Sequence, residues 1–379
     1  MPNIVLITGG AGFIGSHLTP KLLEAGYTIR ILDNLSTQIH GALPTGLEWL
    51  NTEGIEFVRG SVAERDTWVR ALKDVETVVH LAAETGTGQS MYEVARYDMV
   101  NTHGTALLFD VLAQDKVRTV KRVILASSRS VYGEGAYHCG SCGLDPVYPD
   151  SRTPEALAAH RWEYECPSCS ATLTAKPTSE SDRVRPGSIY AATKYAQEDL
   201  TRIACESLGI DYVIYRFQNV YGERQSLNNP YTGILSIFST RIRRDLVLPL
   251  FEDGEESRDF VHVEDVVTAV AMGVASKNAI NRIFNVGSGV QCSVRQVAEE
   301  LTRALGKTPN VQVTGQYRVG DIRHNYANMT ASASILGFRP AISLQEGLGR
   351  FAAWVHTQPL PADRLEEANK ELRARKLMG

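Results

Sequence analysis

Three polar side chains in the middle of the chain have the types and spacing of an acid–base site. Tyr190 and Lys194 are four residues apart, so on a helix both would lie on one face. A lysine ammonium stabilises a phenolate, which would lower the pKa of the Tyr190 phenol and make it a candidate general base. Ser128 follows an apolar segment, residues 122–126, and ligands bind at the carboxyl ends of such strands. By itself, however, the Tyr/Lys spacing also occurs on purely structural helices.

A glycine-rich turn near the amino terminus could hold a phosphate. The turn joins a strand-like segment, residues 3–8, to a helical pattern over residues 13–25, and it contains Gly9, Gly12 and Gly15. Its backbone amides and the helix dipole can receive a pyrophosphate. Asp33 ends the next strand-like segment, where a carboxylate could accept both hydroxyls of an adenosine ribose and would repel a 2′-phosphate. Together these features favour NAD over NADP, whereas the glycines alone could be merely structural.

Two Cys-x-x-Cys pairs predict a metal site. They are separated by 23 residues, slightly more than is usual in a zinc ribbon, and consist of Cys139, Cys142, Cys166 and Cys169. Four thiolates complete the tetrahedral shell of Zn²⁺, so the zinc is predicted to be structural, and the nearby His138 and His160 are predicted not to be ligands. A pair of disulfides or four unbonded thiols are the alternatives.

The elements that must position these residues alternate between strand and helix. Apolar segments typical of buried strands recur with helical patterns between them, at residues 3–8, 27–32, 77–81, 122–126, 211–217 and 282–286. This alternation predicts an α/β fold with a doubly wound parallel (Rossmann) sheet. Residues 219–259 are rich in Gly, Pro and Asn and interrupt the pattern, which predicts a smaller interleaved α/β domain.

Composition excludes several classes of protein. The chain has 379 residues, of which 43% are hydrophobic and 22% charged, as is typical of folded domains. The net charge of −4 creates no basic field for nucleic acid or an anionic membrane, so neither is an expected partner. No apolar run reaches the about 18 residues of a membrane span, and the first residues lack a basic signal-peptide region. We expect a cytoplasmic protein.

The motifs, taken together and in this order, resemble those of a known family. The glycine turn, Asp33, residues 80–83 and 101–105, Ser128 and the Tyr190/Lys194 pair are similar to the motifs of the extended short-chain dehydrogenase/reductase superfamily, in its nucleotide-sugar epimerase/dehydratase branch. The resemblance covers nearly the whole chain apart from residues of about 138–175 and the carboxyl-terminal tail. It therefore outweighs the chance occurrence of any single motif.

The resemblance implies a domain organisation. An NAD-binding Rossmann domain is expected from residues 1–137, 176–218 and 258–289, and a nucleotide-sugar-binding domain from residues 219–257 and 290–360. The cysteine-rich insertion, residues 138–175, lies outside the resemblance and is expected to form a four-cysteine zinc ribbon. Because it leaves the sheet just after Tyr132 and returns shortly before Tyr190, its position predicts a lid. Residues 361–379 are expected to form an exposed terminal helix, since Glu366/Lys370 and Glu371/Arg375 have i,i+4 spacing. A homodimer paired through the Tyr190 helix is also expected, supported by apolar residues such as Ala191, Leu200 and Ile203 on that helix.

The resemblance also implies roles for individual residues. Tyr190 is the expected catalytic base, Lys194 the residue that holds the nicotinamide ribose, and Ser128 the hydroxyl that binds the reacting sugar oxygen. Besides Tyr190 and Lys194, the expected NAD-binding residues are Gly9, Gly12, Phe13, Ile14, Gly15, Asp33, Asn34, Ser61, Val62, Leu81, Ala82, Ala83 and Asn101. The expected substrate-binding residues are Ser130, Asn219, Arg258, Arg318 and Asp321.

Two positions depart from the family pattern. Ser61 stands where an aspartate usually recognises adenine, which leaves that contact open. Arg129 and Ser130 occupy the two positions after Ser128 where 4,6-dehydratases of this branch carry Asp and Glu. Elimination of water from the sugar requires that acid and base pair, so a 4,6-dehydratase is disfavoured.

The expected activity is that of an NAD-dependent nucleotide-sugar 4-epimerase. Tyr190 would remove the C4 hydroxyl proton as hydride leaves C4, and hydride would return to the opposite face of a 4-keto sugar. The resemblance favours a dTDP-6-deoxyhexose such as dTDP-L-rhamnose as substrate. The alternatives are a UDP-hexose 4-epimerase, an NAD-dependent 4-ketosugar reductase or dehydrogenase, and an NAD-sensing binding protein, against which the intact Ser128, Tyr190 and Lys194 count.

Overall fold

The computed structural model describes residues 3–41, 44–115, 118–227 and 233–379. Its strands are β1 Ile4–Thr8, β2 Thr28–Asp33, β3 Ile55–Arg59, β4 Val75–His80, β5 Arg122–Ser128, β6 Tyr137–His138, β7 Thr174–Ala175, β8 Asp211–Phe217, β9 Asn219–Tyr221, β10 Leu248–Leu250, β11 Ser257–Arg258, β12 Phe260–His262, β13 Arg282–Val286, β14 Cys292–Ser293, β15 Val311–Val313 and β16 His324–Asn325. Its α-helices are α1 Phe13–Glu24, α2 Thr37–His40, α3 Arg65–Ala71, α4 Thr87–Ser90, α5 Val94–Tyr97, α6 Gly104–Gln114, α7 Pro154–Ala158, α8 Ile189–Leu208, α9 Ile234–Arg243, α10 Val263–Ala275, α11 Val294–Ala304, α12 Leu344–Thr357 and α13 Leu365–Ala374. Within the described ranges, no helix is long and apolar enough to cross a membrane.

A seven-stranded sheet forms the centre of the molecule. Its strand order is β13-β8-β5-β4-β1-β2-β3, and every neighbouring pair is parallel. The order of connection reverses between β1 and β4, so the sheet is doubly wound. Side chains of α1 and α10 belong to the apolar cluster on one face, and those of α3, α6 and α8 to the cluster on the other. Because both faces are covered, β1 is buried along its whole length, and the predicted fold class is confirmed.

A smaller second region is interleaved with this sheet. In it β9 pairs with β12, β10 pairs with β15, and β11 lies between β14 and β16. Its helices α9, α11 and α12 contribute Phe238, Leu301 and Phe351 to one apolar cluster. Residues 228–232, which belong to the predicted sugar-binding segment, lie outside the described residues.

The cysteine-rich insertion contains little regular structure. The antiparallel pair of β6 and β7 closes its base, and Thr153 caps α7 by accepting the N–H of Ala156 (3.2 Å). The insertion has a small buried cluster of its own, made of Tyr137, Cys139, Val147, Tyr164, Cys166 and Leu173. Two of these residues are cysteines, so the thiols form part of the core of the insertion.

The carboxyl-terminal segment differs from the prediction. The helix expected to be exposed, α13, is amphipathic, and its residues Leu365, Ala368 and Leu372 are buried. After the helix, the backbones of Tyr317 and Gly379 exchange two hydrogen bonds (2.9 and 3.1 Å). The charged i,i+4 pattern that suggested a solvated helix describes only its outer face, whereas the apolar residues form the face that packs.

Candidate active site

A cavity of about 930 Å³ lies at the carboxyl-terminal edge of the parallel sheet. One wall consists of the glycine turn, the ends of β2, β4 and β5, and the start of α8. The opposite wall comes from the second region and includes Asn219, Tyr221, Gln225, Leu235, Trp354 and Gln358. Open parallel sheets bind ligands at this edge, and the volume is near the upper end of the range for small-molecule and cofactor sites.

The glycine turn is shaped for a close approach of another backbone. Gly9 has a left-handed φ of +65°, and a Cβ at this position would lie 2.9 Å from the backbone of Ala82. A Cβ on Gly15 would collide with the backbone of Gly10, so α1 can pack on the turn only because residue 15 is glycine. α1 begins at Phe13, and the positive end of its dipole therefore borders the cavity. The turn has the form that a pyrophosphate requires.

Asp33 is held rigidly at the cavity wall, with 8% of its surface exposed. Its Oδ2 accepts the N–H of Ala11 (3.1 Å), and its Oδ1 accepts the N–H of Leu35 (2.8 Å). The next residue, Asn34, also lines the cavity, and its Oδ1 accepts the N–H of Ser36 (3.0 Å). A carboxylate fixed beside the glycine turn fits the ribose hydroxyls of an adenosine and would repel a 2′-phosphate.

Ser128, Tyr190 and Lys194 are brought together in the same cavity. Ser128 is the last residue of β5, and the other two residues lie one turn apart on α8, which begins at the Ser188 cap. The ammonium of Lys194 donates a hydrogen bond to the carbonyl oxygen of Ala126 in β5 (2.9 Å). Helix and strand are therefore joined directly behind the three polar side chains.

Burial sets the direction of the pKa shifts in this group. Burial raises the pKa of Tyr190 above its usual value, while its hydrogen bond with Ser128 and the positive charge of Arg129 act in the opposite direction. Burial also lowers the pKa of Lys194 to about 7. The lowering of the Tyr190 pKa by the Lys194 ammonium, expected from the sequence, stays a prediction.

Several predicted cofactor residues lie in the wall, and one lies behind it. Phe13, Ile14, Val62, Leu81, Ala82 and Ala83 line the cavity. Asn101 is fully buried and does not line the cavity; its Oδ1 accepts the N–H of Glu84 (2.8 Å), and its Nδ2 donates to Oγ1 of Thr193 (3.0 Å). Asn101 therefore joins the loop after β4 to α8, which is a supporting position and not the expected contact with the cofactor.

Ser61 also lies outside the cavity, although the adjacent Val62 lines it. The Ser61 hydroxyl accepts the N–H of Ala63 (3.1 Å) in a local turn. The short serine side chain is used within its own loop, whereas the aspartate typical of the family is longer and could extend further. Ser61 thus departs from the family pattern in sequence, and in the structure its side chain bonds within its own loop and does not line the cavity.

Arg129 and Asn219 form a hydrogen-bonded pair in the cavity wall. Nε of Arg129 donates to Oδ1 of Asn219 (2.8 Å), and Nη1 of Arg129 is buried without a hydrogen-bond partner among the described residues. Burial and the charge of Arg258 lower the pKa of Arg129 to about 9. No binding role was predicted for Arg129, and its position directly after Ser128 is the signal that could have revealed one.

Three predicted substrate residues border a small recess of about 40 Å³ next to the cavity. They are Ser130, Arg258 and Asp321, and Arg129 lines both the recess and the cavity. The hydroxyl of Ser130 donates to Oγ of Ser128 (3.0 Å), which ties the recess to the catalytic side chains. The structure therefore places an arginine pair, Arg129 and Arg258, beside the residues that could perform acid–base chemistry.

Arg318 lies apart from the other predicted substrate residues, because it lines neither the cavity nor the recess. Its guanidinium stacks over the ring of Phe251 (4.7 Å to the centroid), and its Nη2 donates to Oδ1 of Asn369 in α13 (3.3 Å). The terminal helix therefore holds a side chain that was expected to bind the diphosphate. The 51 residues that separate Arg318 from Asn369 hide this contact from any local sequence pattern.

The four cysteines of the insertion form a separate cluster. Their Sγ atoms all lie within 4.8 Å of one another, and the Cys139–Cys169 and Cys142–Cys166 sulfur atoms are 3.5 Å apart. A tetrahedral zinc with Zn–S bonds of about 2.3 Å places its sulfur ligands about 3.8 Å apart, so the donor set fits Zn²⁺. His138 and His160 lie outside the cluster, and His160 stacks on Trp162 (5.0 Å between centroids).

The two cysteine loops have the same backbone conformation. The N–H of Gly143 donates to the carbonyl of Cys139 (3.0 Å), and at the equivalent position the N–H of Ser170 donates to the carbonyl of Cys166 (2.9 Å). Both residues have a left-handed φ, +74° at Gly143 and +58° at Ser170. A non-glycine residue such as Ser170 seldom adopts this conformation, so the fold of the loop imposes it. Each of the two loops contributes two sulfur atoms to the cluster.

Comparison with known proteins places the chain in a family. Residues 5–156 and 166–287 match the model of the NAD dependent epimerase/dehydratase family. The chain belongs to this family. A dTDP-L-rhamnose 4-epimerase of Burkholderia thailandensis is 38% identical over 93% of this chain and 94% of its own length.

Solved structures of this family have the same fold. The UDP-glucose 4-epimerase of Thermotoga maritima, in a structure with UDP-glucose, is 29% identical, with a TM-score of 0.74 over 93% of this chain and 98% of that one. The UDP-glucuronic acid 4-epimerase of Bacillus cereus, in complex with UDP-glucuronic acid and NAD, is 25% identical, with a TM-score of 0.76 over 93% of this chain and 99% of that one.

Two features of the chain bear on its place within this epimerase/dehydratase family. The family match skips residues 157–165, which lie between the two cysteine pairs. The two residues after Ser128, Arg129 and Ser130, place a guanidinium and a hydroxyl in the site. A dehydratase needs an acid and a base at these positions.

Proposed function

We propose that the chain is an NAD-dependent nucleotide-sugar 4-epimerase, an isomerase, whose substrate is a dTDP-6-deoxyhexose such as dTDP-L-rhamnose. The observation that carries the proposal is the position of Ser128, Tyr190 and Lys194 in one wall of a cavity that the second region closes. The names of the three relatives described above support 4-epimerisation, and the name of the Burkholderia relative supports the substrate.

Tyr190 performs the proton transfer. Its phenolic oxygen takes the proton of the sugar C4 hydroxyl and returns it after C4 has been inverted, so that it acts as base and then as acid. Burial disfavours the phenolate and raises the Tyr190 pKa, and the hydrogen bond with Ser128 and the charge of Arg129 make that rise smaller. Oγ of Ser128 accepts hydrogen bonds from the N–H and the hydroxyl of Ser130 (3.2 and 3.0 Å), which leaves its own hydroxyl hydrogen for Tyr190 or the sugar oxygen.

The cofactor side of the cavity fits NAD. A bound NAD⁺ would supply the hydride chemistry that inversion at C4 requires. The glycine turn would hold its pyrophosphate, Asp33 its adenosine ribose and Lys194 its nicotinamide ribose. Asn34, Val62 and the loop of residues 81–83 complete that wall.

The sugar-nucleotide side is supplied mainly by the second region. Asn219, Ser130, Arg258 and Asp321 are proposed to bind the substrate, with Arg258 directed to the diphosphate because a guanidinium matches phosphate geometry. Arg318 is also proposed to bind the diphosphate, although it lines neither the cavity nor the recess and its Nη2 donates to Asn369. The division of the chain predicted from the sequence, with residues 219–257 and 290–360 as the sugar-binding domain, is proposed on the same basis, except that Arg258 is counted with the second region because β11 pairs with β14 and β16.

Incubation of the purified protein with a panel of dTDP- and UDP-sugars tests the function. We expect inversion at C4 of dTDP-L-rhamnose without a stoichiometric change in absorbance at 340 nm. Net formation or consumption of NADH would instead indicate a reductase or dehydrogenase, and turnover of only UDP-hexoses would correct the substrate. Acid release of the bound cofactor should yield NAD, and recovery of NADP alone would contradict the assignment of Asp33.

The cysteine cluster is proposed to hold one structural Zn²⁺. Its four sulfur ligands leave no open position, so the metal would stabilise the insertion and take no part in the reaction. A zinc-thiolate site requires reduced cysteines, which agrees with the proposed location in the cytoplasm. Elemental analysis should find one zinc per chain in protein purified without a chelator.

A homodimer paired through α8 is proposed as well. Ile203 on this helix is 56% exposed, and pairing would cover it, whereas Ala191 is buried within the chain and carries no argument for pairing. Sedimentation at micromolar concentration should give a dimer for the natural chain, and Ile203→Glu should shift the distribution towards monomer. A natural chain that sediments only as a monomer would contradict this assignment.

A further inference from the structure

The cysteine-rich insertion is connected to the substrate side of the cavity by buried charges. Arg152 of the insertion donates from Nη1 to Oε2 of Glu252 in the second region (2.7 Å) and from Nη2 to the carbonyl oxygen of Asp321 (3.0 Å). The side chains of both Arg152 and Glu252 are at most 3% exposed. The insertion therefore reaches a backbone group of a proposed substrate-binding residue directly.

Arg323 lies at the centre of this network and is only 1% exposed. Its Nη1 donates to the same Oε2 of Glu252 (3.0 Å), so one carboxylate oxygen is shared by an arginine from the insertion and an arginine from the second region. Arg323 also donates to both carboxylate oxygens of Asp253 (2.7 and 2.8 Å) and, through Nε and Nη2, to Oε1 of Glu163 (2.8 and 2.5 Å). Glu163 belongs to the insertion, which therefore contacts Arg323 directly through this carboxylate and indirectly through Glu252, whose Oε2 also accepts from Arg152.

The turn that carries the carboxylates is held in an unfavourable conformation. Glu252 has a left-handed φ of +48°, which a residue with a side chain adopts only when its surroundings fix it. Its N–H donates to the carbonyl of Gln316 (2.7 Å), and its side chain lies between the two arginines. Such a network specifies one arrangement, because removal of Glu252 would leave the buried guanidinium of Arg152 without its carboxylate partner.

The network ends on the proposed substrate residues. The carbonyl oxygen of Arg323 accepts a hydrogen bond from Nη1 of Arg258 (3.0 Å), and the carbonyl of Asp321 accepts one from Arg152. Ser151, the neighbour of Arg152, lines the same recess as Arg258 and Asp321. Asp321 is therefore hydrogen-bonded directly to Arg152 of the insertion. Arg258 is hydrogen-bonded to the backbone of Arg323, whose side chain is bonded to Glu163 of the insertion.

We propose that the insertion acts as a brace: through Arg152 and Glu163 it fixes Arg323, and thereby positions Arg258 and Asp321 for the nucleotide diphosphate of the substrate. Arg152 and Arg323 are positioning residues and have no contact with the reacting atoms. The proposal rests on the nucleotide-sugar function proposed above. It replaces the lid expected from the sequence, because a lid would have to open, whereas Arg152, Glu252 and Arg323 are buried and paired with charges of the opposite sign.

Arg152→Met tests the brace, since methionine keeps much of the arginine's length and removes its charge. We expect an increase of about tenfold in KM for the nucleotide sugar and in Kd for the free nucleoside diphosphate, with kcat within about threefold and NAD retention unchanged, as for a misplaced binding group. Amide hydrogen exchange across residues 317–325 should quicken in the same variant. Arg161→Met, at an exposed position of the same insertion, is the matched control and should change none of these values.

A double substitution distinguishes a positioning role of the insertion from a general loss of stability. If the insertion acts through Arg152, then Cys169→Ser should raise the Kd for nucleoside diphosphate in the natural chain and add little in the Arg152→Met background, because both changes remove the same constraint. Effects that multiply independently would overturn the proposal, as would faster exchange with unchanged nucleotide affinity. If Arg152→Met does not fold, Glu163→Gln, at a half-exposed position, provides the same measurements.

Failure of the proposed function gives a different result. A natural chain that binds NAD but neither dTDP nor UDP would contradict the nucleotide-sugar function, whatever the behaviour of the insertion. A natural chain that binds the nucleoside diphosphate, combined with an Arg152→Met variant that binds it equally well, would overturn the brace alone.

Discussion

The two sides of the cavity are held in place by different forces. On the cofactor side, Tyr190 and Ser128 are attached to α8 and β5, which belong to a sheet with apolar clusters on both faces. On the substrate side, Asp321 lies between short elements, and its loop is held by the ion pairs of Arg323 and by the backbone bonds of Tyr317 with Gly379. Apolar burial is insensitive to small changes of charge, whereas a buried ion pair fails when one partner is lost.

We therefore expect the cofactor side and the substrate side of the cavity to differ in how well they tolerate substitutions. Residues that perform proton transfer must keep their geometry in every cycle, and the sheet provides a framework that one surface change does not move. The substrate side depends on contacts among residues that are distant in sequence, so it is the side on which a metal, a charge or the terminal helix can alter affinity.

The largest expected effect removes the chemistry and leaves both frameworks intact. Tyr190→Phe should reduce kcat by about 10³-fold or more, because it deletes the oxygen that moves the proton. The amount of bound NAD and the thermal midpoint should remain those of the natural chain. Tyr195→Phe on the same helix is the control, and a Tyr190→Phe variant with full activity would refute the mechanism.

A smaller effect is expected from the second catalytic side chain. Ser128→Ala should reduce kcat by about 10–1000-fold, the range for losing one positioned hydrogen bond to a reacting oxygen. KM should change little, because the substrate contacts of the second region are unaffected. A variant whose loss appears only in KM would mean that Ser128 belongs functionally to the substrate side.

Removal of a proposed zinc ligand should affect the opposite side of the cavity. Cys166→Ser is expected to abolish binding of the proposed zinc, to lower the thermal midpoint by about 5 °C and to raise KM for the nucleotide sugar by about tenfold. NAD should remain bound, since no residue of the insertion lies in the cofactor wall. Equal losses of NAD and of nucleotide-sugar affinity would show that the two sides are not held independently.

The smallest effect concerns pH. The positive charge of Arg129 acts to lower the pKa of Tyr190. In the proposed mechanism the active form of Tyr190 is the phenolate. Arg129→Met should therefore raise the Tyr190 pKa and move the acidic limb of the kcat/KM profile to higher pH. A profile that stays in place while KM rises would assign Arg129 to substrate binding alone.

Much of the fold and of the cofactor side follows from local sequence. The alternation of apolar segments and helical patterns predicted the sheet, and the predicted strands at 211–217 and 282–286 agree with β8 and β13 at both ends. The spacing of Tyr190 and Lys194 placed them on one helix face, and the glycines placed the turn before α1. Such features depend on neighbours a few residues away, so a single sequence contains them.

The partners of the buried charged side chains, in contrast, depend on the tertiary structure. Nothing near Lys194 in the sequence shows that its ammonium is directed at Ala126, and nothing near Arg318 shows that Asn369 accepts its hydrogen bond. The same holds for Arg152 and Arg323, whose shared carboxylate on Glu252 is 100 and 71 residues away from them. Backbone periodicity is set by adjacent residues, whereas the partner of a buried charge is chosen by which distant segments exclude water together, and that is a property of the folded chain alone.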